Sequence, residues 1–174
     1  YGLAKRVDPV NIQAQIGIAK CLAETEGTEK SVALLEADPL MWHYRAELLT
    51  GISEIYLRKN NSSVALKYAD MAIEADKKYA KAYKTKGDIL QSIEKYKDAE
   101  SIYKTYQSMN PNDPRSYIER YRMGMKRSDY LGARKEIVAL LERFPKYPGA
   151  HYMLGDVALQ AQNAKEAYRE AILK

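Results

Sequence analysis

The sequence is poor in the residues that do chemistry: it has one cysteine, Cys21, and two histidines, His43 and His151. A lone cysteine closes no intrachain disulfide and builds no cysteine metal cluster, which fits a reducing compartment and a cytoplasmic location. The two histidines lie far apart, and ordinary packing is the simplest role for each. No Gly-rich phosphate loop, no metal-spaced His and Cys set and no nucleophile elbow occurs. No enzyme activity, cofactor or metal is therefore expected. The acidic residues Glu94, Asp98 and Glu100 lie close together, but helix surfaces routinely carry such groups. Long apolar runs are missing too: the longest, such as residues 137–141, fall far short of the roughly 18 residues needed to cross a bilayer. No basic-then-apolar leader opens the sequence, so no signal peptide is visible. Only 9 glycines and 6 prolines interrupt 174 residues that are 46% hydrophobic and 29% charged, as suits a soluble helical chain with a substantial core.

What the chain does have is a period. Ala65, Ala99, Ala133 and Ala167 stand 34 residues apart; Tyr83, Tyr117 and His151 form a second column; Pro111 and Pro145 form a third; Gly87 and Gly155 are two steps apart. A fixed period of this size in helix-forming sequence marks a stacked array, in which no unit buries its apolar face alone. Small residues such as Gly87 and Ala99 are expected where antiparallel helices approach to about 8–10 Å. Tyr83 and Tyr103 are expected to fill the gaps between hairpins. Pro111 and Pro145 each close a unit, lacking a donor and disfavouring helix in the residue before.

Taking Ala80 as the first residue of a unit places Tyr83 fourth, Gly87 eighth, Ala99 twentieth, Tyr103 twenty-fourth and Pro111 thirty-second. This pattern resembles the tetratricopeptide repeat. Units near 46–79, 80–113, 114–147 and 148–174 follow, the first carried by Tyr56, Ala65, Ala69 and Ala72, the last by His151, Leu154, Gly155 and Ala167. The third unit departs from the pattern, with Tyr121 where Gly is usual and Gly124 where an aromatic is usual, so its helix pair is expected to pack with a shifted contact. The resemblance implies an all-α, right-handed solenoid of antiparallel helix hairpins, four to five in number. Residues 1–38 would form a degenerate N-terminal hairpin out of the 34-residue register, and 39–174 the array, in one continuous superhelical domain. It also implies a non-catalytic protein–protein interaction scaffold.

Caps and breakers place the helices. Asn60-Asn61-Ser62, Lys95-Tyr96 and Ser128-Asp129 mark inner turns, with helices near 114–127 and 130–144. Asp113-Pro114 reads as a helix start, and Asp8-Pro9 and Asp38-Pro39 repeat it. The first hairpin is expected at 11–23 and 28–37. A long helix is expected over 40–59, with Trp42, His43 and Tyr44 packed on that hairpin; Cys21 is expected on an apolar helix face.

Charge is uneven. Residues 77–146 carry 17 basic and 9 acidic groups, whereas the remainder carries 11 basic and 14 acidic. In the family that the chain resembles, the first helix of each pair lines a groove. Carried onto this sequence, the groove residues are Lys81, Lys84 and Asp88 in one unit, Arg115, Ile118, Arg122, Met125 and Lys126 in the next, and Tyr152 in the last. A guest that is acidic with a few apolar anchors suits that set, laid in as a strand or helix. The clamp that holds chaperone C-terminal carboxylates is not built here: Lys84 fits it, but Asp88 replaces an Asn, and Glu119, Gly149 and Met153 stand at other clamp places. Two further readings compete. Nucleic acid is permitted by a pI near 9.1 but opposed by a net charge of only +5 and by the period. The other is an output or assembly module of a larger machine, such as a bacterial receiver-linked signalling, pilus or secretion protein. The chain is expected to be a piece of something longer, able to self-associate through an open C-terminal flank that includes Ala167, Ala171 and Ile172.

Overall fold

Four helices begin one repeat step apart, at Thr28, Ser62, Tyr96 and Tyr130, each the second member of an antiparallel pair. The computed structural model describes residues 11–38 and 43–172, with side chains through Glu166, and among them there are nine helices and no strand. In chain order these are α1 (Ile12–Thr25), α2 (Thr28–Glu36), α3 (Arg45–Arg58), α4 (Ser62–Ala75), α5 (Ala80–Ser92), α6 (Tyr96–Met109), α7 (Arg115–Lys126), α8 (Tyr130–Arg143) and α9 (Ala150–Ile172). The chain divides into two compact units, Tyr1–Met109 and Asn110–Lys174. The fold is an all-α helical repeat.

Local chemistry sets the helix ends. The side chains of Asn11, Asn61 and Asp129 accept from the backbone N–H groups of Ala14, Val64 and Gly132, at 2.8, 3.3 and 2.9 Å. Each thereby satisfies a donor that the first helical turn leaves unpaired. Asp113 does the same for Arg115 at 3.0 Å, one residue later than the sequence suggests. The inner turns share one device: Asn60, Glu94 and Ser128, 34 residues apart, adopt φ of 57°, 61° and 58°. Left-handed backbone is costly for residues with a Cβ, and the packing of the returning helix offsets it.

In the first unit, α1/α2, α3/α4 and α5/α6 pair as hairpins, and each hairpin packs against the next. The alanine column does what its size allows, since Ala65, Ala69, Ala72 and Ala99 are fully buried between helices. The N-terminal hairpin is in register after all, which corrects the sequence reading. Ser31 stands one step before Ala65, and Ala19 one step before Ser53; Ser31 Oγ donates to the Ala19 carbonyl at 2.6 Å, and Ser53 Oγ to the Ala65 carbonyl at 2.7 Å. The same helix contact is thus bridged from opposite sides. What hides the register is the shortness of α2 and the absence of aromatics from its columns.

The expected helix over 40–59 is also corrected. His43 and Tyr44 are in a turn, and α3 starts at Arg45. Aromatic residues gain little from helix here, whereas Glu47 in the first turn complements the helix dipole. Leu40 and Trp42, like Asp8, Pro9 and Pro39, lie outside the described residues.

In the second unit α7 pairs with α8, and α8 packs on α9. The third repeat has the shifted contact that its sequence suggests: an ideal Cβ on Gly124 would lie 3.0 Å from Ala133 Cβ, so the close approach falls there. Tyr121, in the place of Gly87, is buried beside Ala133 and Ile137 in the unit's apolar cluster. The fourth repeat differs from the other three. It forms no hairpin within its described residues; α9 continues through Gln162, one step after Ser128. Residues 158–164 are mostly Ala, Leu and Gln, strong helix formers that keep the ladder unbroken. Ala167, Ala171 and Ile172 lie on this helix, but their side chains, and Lys174, are outside the described residues.

Candidate binding surfaces

The first helix of each pair carries the charged rows. One column, at the 34-residue step, runs Lys20, Glu54, Asp88, Arg122, Asp156. Every member has a partner. Extending the period back to Lys20 would have found this column from sequence; the assumption of a broken N-terminal register concealed it.

In the first unit the column is knitted into α1, α3 and α5. Lys20 on α1 forms an ion pair and hydrogen bond with Glu54 on α3. Glu54 also meets Lys81 Nζ at 3.3 Å and accepts from Thr85 Oγ1 at 3.4 Å, both from α5. Burial, the largest single influence, pushes the Glu54 carboxyl up, but the hydrogen bond and charge of Lys20 and those of Lys81 outweigh it, so the group sits below its ordinary 4.5. Lys84 Nζ pairs with Asp88 at 2.6 Å, and Asp88 accepts from Tyr103 OH at 2.7 Å. Lys81, Lys84 and Asp88 are thus brought onto one helix face, each with an internal partner.

The second unit places Arg115, Ile118, Arg122, Met125 and Lys126 on α7 and Tyr152 on α9. Arg122 is 58% exposed and pairs with Glu119 at 2.7 Å; Arg115 pairs with Asp113 at 2.7 Å. Lys126 is exposed. Ile118 lies in the core instead of on a binding face, 7% exposed in the cluster with Tyr121 and Ile137, and Met125 packs partly buried on the same cluster. The register that points their neighbours outward is one for a Gly at Tyr121; with the contact shifted to Gly124, the apolar side chains of α7 turn inward. Tyr121 OH donates to Asp156 Oδ2 at 2.9 Å. Burial and then this carboxylate push the Tyr121 phenol up to about 12, and the charges of Tyr152 and Arg122 are felt there as well. Tyr152 is 80% exposed. The Tyr121–Asp156 hydrogen bond thus ties α7 to α9, while Tyr152 and Arg122 are both left exposed in this unit.

A cavity of about 690 Å³ is lined by residues of α8 that include Leu131, Arg134, Lys135, Val138 and Glu142. Among the described residues no set of three or more His, Cys, Asp and Glu side chains is placed to hold a metal ion, and no helix is long and apolar enough to cross a membrane. His43 and His151 are exposed, and Cys21 is exposed rather than seated on an apolar face.

Residues 125–174 match the family model described as Tetratricopeptide repeat. No curated protein sequence matches the chain. Among solved structures, a tetratricopeptide repeat protein from Parabacteroides merdae aligns with a TM-score of 0.67 at 18% identity, over 91% of this chain and 63% of its own length. This chain therefore spans less than two thirds of that protein. MamA from Desulfovibrio magneticus RS-1 aligns at 0.64 and 16% identity, over 92% of this chain and 93% of its own. The first TPR of Spaghetti (RPAP3), solved bound to an HSP90 peptide, aligns at 0.55 and 18% identity, over 67% and 95%. At these identities the likeness is one of fold.

Proposed function

We propose that this chain, which folds as tetratricopeptide repeats, is a non-catalytic scaffold that binds an acidic segment with an apolar anchor on the first-helix face of its second unit. The observation that carries the reading is Tyr152, a large aromatic side chain left 80% exposed on α9 in the unit whose α7 exposes Arg122 and Lys126. An exposed aromatic and exposed cations in one unit suit a guest with one apolar side chain and flanking carboxylates, because ring burial supplies affinity and charge supplies register and encounter rate. Lys126 extends the basic row one turn along α7 from Arg122. In the first unit Lys81 and Lys84 are offset by Glu54 and Asp88, so that face contributes less net charge. That a structural neighbour was solved bound to an HSP90 peptide lends general support to peptide binding on this fold. The pairing of Lys84 with Asp88 argues against the carboxylate clamp in this chain.

The test is fluorescence anisotropy with a labelled Asp/Glu-rich peptide bearing one Leu or Phe, against the same composition with Lys for Asp and Glu. Arg122→Glu with Lys126→Glu should weaken binding of the acidic peptide at least tenfold, and Tyr152→Ala by a similar factor. Equal affinity for both peptides, or binding unmoved by these changes, would overturn the assignment. Single-stranded RNA of random sequence serves as the competing probe; steeply salt-dependent binding to it would favour a nucleic-acid role instead.

A further inference from the structure

The outward columns of the second helices change character at α8. At the 34-residue step one column runs Glu36, Asp70, Lys104, Val138, and another Glu29, Ser63, Lys97, Leu131. The charged members of the first column are satisfied within the chain: Glu36 accepts from Tyr68 OH at 2.9 Å, Asp70 pairs with Lys86 at 2.6 Å, and Lys104 with Glu100 at 2.7 Å. In α8 both places are aliphatic, and Leu131 is left 79% exposed.

Helical geometry gathers these residues into one stripe. At about 3.6 residues per turn, Leu131, Lys135, Val138 and Glu142 lie within about 60° of one another, on the side of α8 away from the buried Ala133, Ile137 and Leu140. The cavity of about 690 Å³ lies against this stripe. Arg134, Lys135 and Glu142 are exposed, and among the described residues none of the three has an ion-pair or hydrogen-bond partner. Charge is therefore polarised along α8, with two free cations in its first half and a free carboxylate near its end. Asp129 does not cancel the cations, because its carboxylate is engaged as the cap on the Gly132 N–H at 2.9 Å. A guest segment of one sign would meet a like charge at one end of the stripe. A second stripe of the same kind, laid antiparallel, meets an opposite charge at both ends.

We infer that this stripe is a contact between two copies of the chain, α8 packed antiparallel on α8 about a two-fold axis beside Val138. Lys135 and Glu142 stand almost equally far to either side of Val138, so the axis sets Lys135 of each copy against Glu142 of the other, with Arg134 flanking the pair. An isologous interface requires such self-complementarity. Val138 packed on its counterpart, with Leu131 one turn beyond Lys135, supplies the apolar contact, and the two ion pairs fix direction and register. The contact uses none of Arg122, Lys126 and Tyr152, so the inference stands independently of the binding face proposed above.

One helix per copy buries less than the roughly 1,200 Å² at which stable interfaces begin, so the dimer is weak. Sedimentation equilibrium of the whole chain, up to about 1 mM, should show a monomer that dimerises reversibly. Lys135→Glu and Glu142→Lys each set like charges against one another and should raise the dissociation constant roughly tenfold, with the far-UV circular dichroism unchanged because both places are exposed. The chain carrying both changes should regain the original affinity, and the two single variants mixed should pair with each other more tightly than either does with itself. Lys135 and Glu142 are roughly 10 Å apart along one helix and are not neighbours within a copy, so such rescue reports a contact between copies. In a Cys21→Ser background, Val138→Cys should oxidise to a covalent dimer on a denaturing gel. A monomer at every concentration would overturn the inference, as would a dimer indifferent to the single charge reversals or one that the double reversal fails to restore.

Discussion

The ring of Tyr103 lies directly over the bare backbone of Gly87, whose ideal Cβ would sit 2.7 Å from the ring's Cε1. The ring has no room to yield: Tyr103 is fully buried and its hydroxyl is held by Asp88 at 2.7 Å and Gln91 at 3.1 Å. Gly87→Ala gains up to about 1 kcal/mol of helix propensity, whereas overpacking costs about 1–3 kcal/mol. The expected result is a net loss of about 1–2 kcal/mol in urea unfolding, with Gly155→Ala as the contrast. Nothing meets a Cβ at Gly155, so that change should stabilise by about 0.5–1 kcal/mol. If the two glycines responded alike, the register would be wrong.

Glu54 gives the fold a pH dependence whose sign is fixed. Its carboxyl sits below the ordinary 4.5 in the folded chain because Lys20 and Lys81 together outweigh burial. A depressed folded value means that the stabilisation is complete above the unfolded value and is lost as pH falls through the folded one. Denaturation midpoints should therefore fall as the pH drops below the ordinary 4.5, and the fall should be shallower in Glu54→Gln, which keeps the shape and removes the charge. An identical slope in the two proteins would show that other carboxylates govern acid unfolding.

Much of this fold is legible because close-packed contacts constrain size. Ala65, Ala99 and Ala133 stand out in the sequence for the reason that they are fully buried in the structure. The turns are legible by period more than by composition, since Glu94 has no turn chemistry of its own yet adopts the left-handed conformation that Asn60 and Ser128 do. What the pattern does not carry is the outcome of a contact swap or of a missing turn. Ile118 occupies a place that faces a guest in the regular repeat, but Tyr121 and Gly124 exchange large for small and draw it into the core. The unit after Pro148 has its repeat landmarks, and still α9 runs straight, because helix continuation at Gln162 is a balance between turn strain and return packing that no single column reports.

Tyr121 supplies a test at alkaline pH. Burial, then the hydrogen bond and charge of Asp156, push its phenol up to about 12, and burial with acidic neighbours does the same for Tyr68 and Tyr79. A raised folded value means that the stabilisation is present below the unfolded value near 10 and disappears as pH rises through 12. Ultraviolet titration should resolve a late-ionising group of tyrosines among the 15, and Tyr121→Phe should remove one from it. A late group unchanged by Tyr121→Phe would mean that the phenol is not held as described.

The pair of Arg120 on α7 and Glu136 on α8 is the test of what holds the third hairpin together. Both side chains are only 13% exposed, and their contact joins the two helices of the hairpin whose glycine contact is shifted. Little water reaches the pair, so Glu136→Ala takes a close carboxylate from a guanidinium largely shielded from solvent and should cost about 3 kcal/mol. Replacing both by apolar groups, Arg120→Met with Glu136→Leu, removes the charge together with its partner and should recover most of that loss. The coupling energy from the four proteins should then exceed about 1 kcal/mol and change little with salt, unlike that of an exposed pair such as Lys104 with Glu100. A Glu136→Ala chain as stable as the original would mean that apolar packing of Tyr117, Ile137 and Leu140 alone fixes α7 against α8, with the ion pair incidental to it.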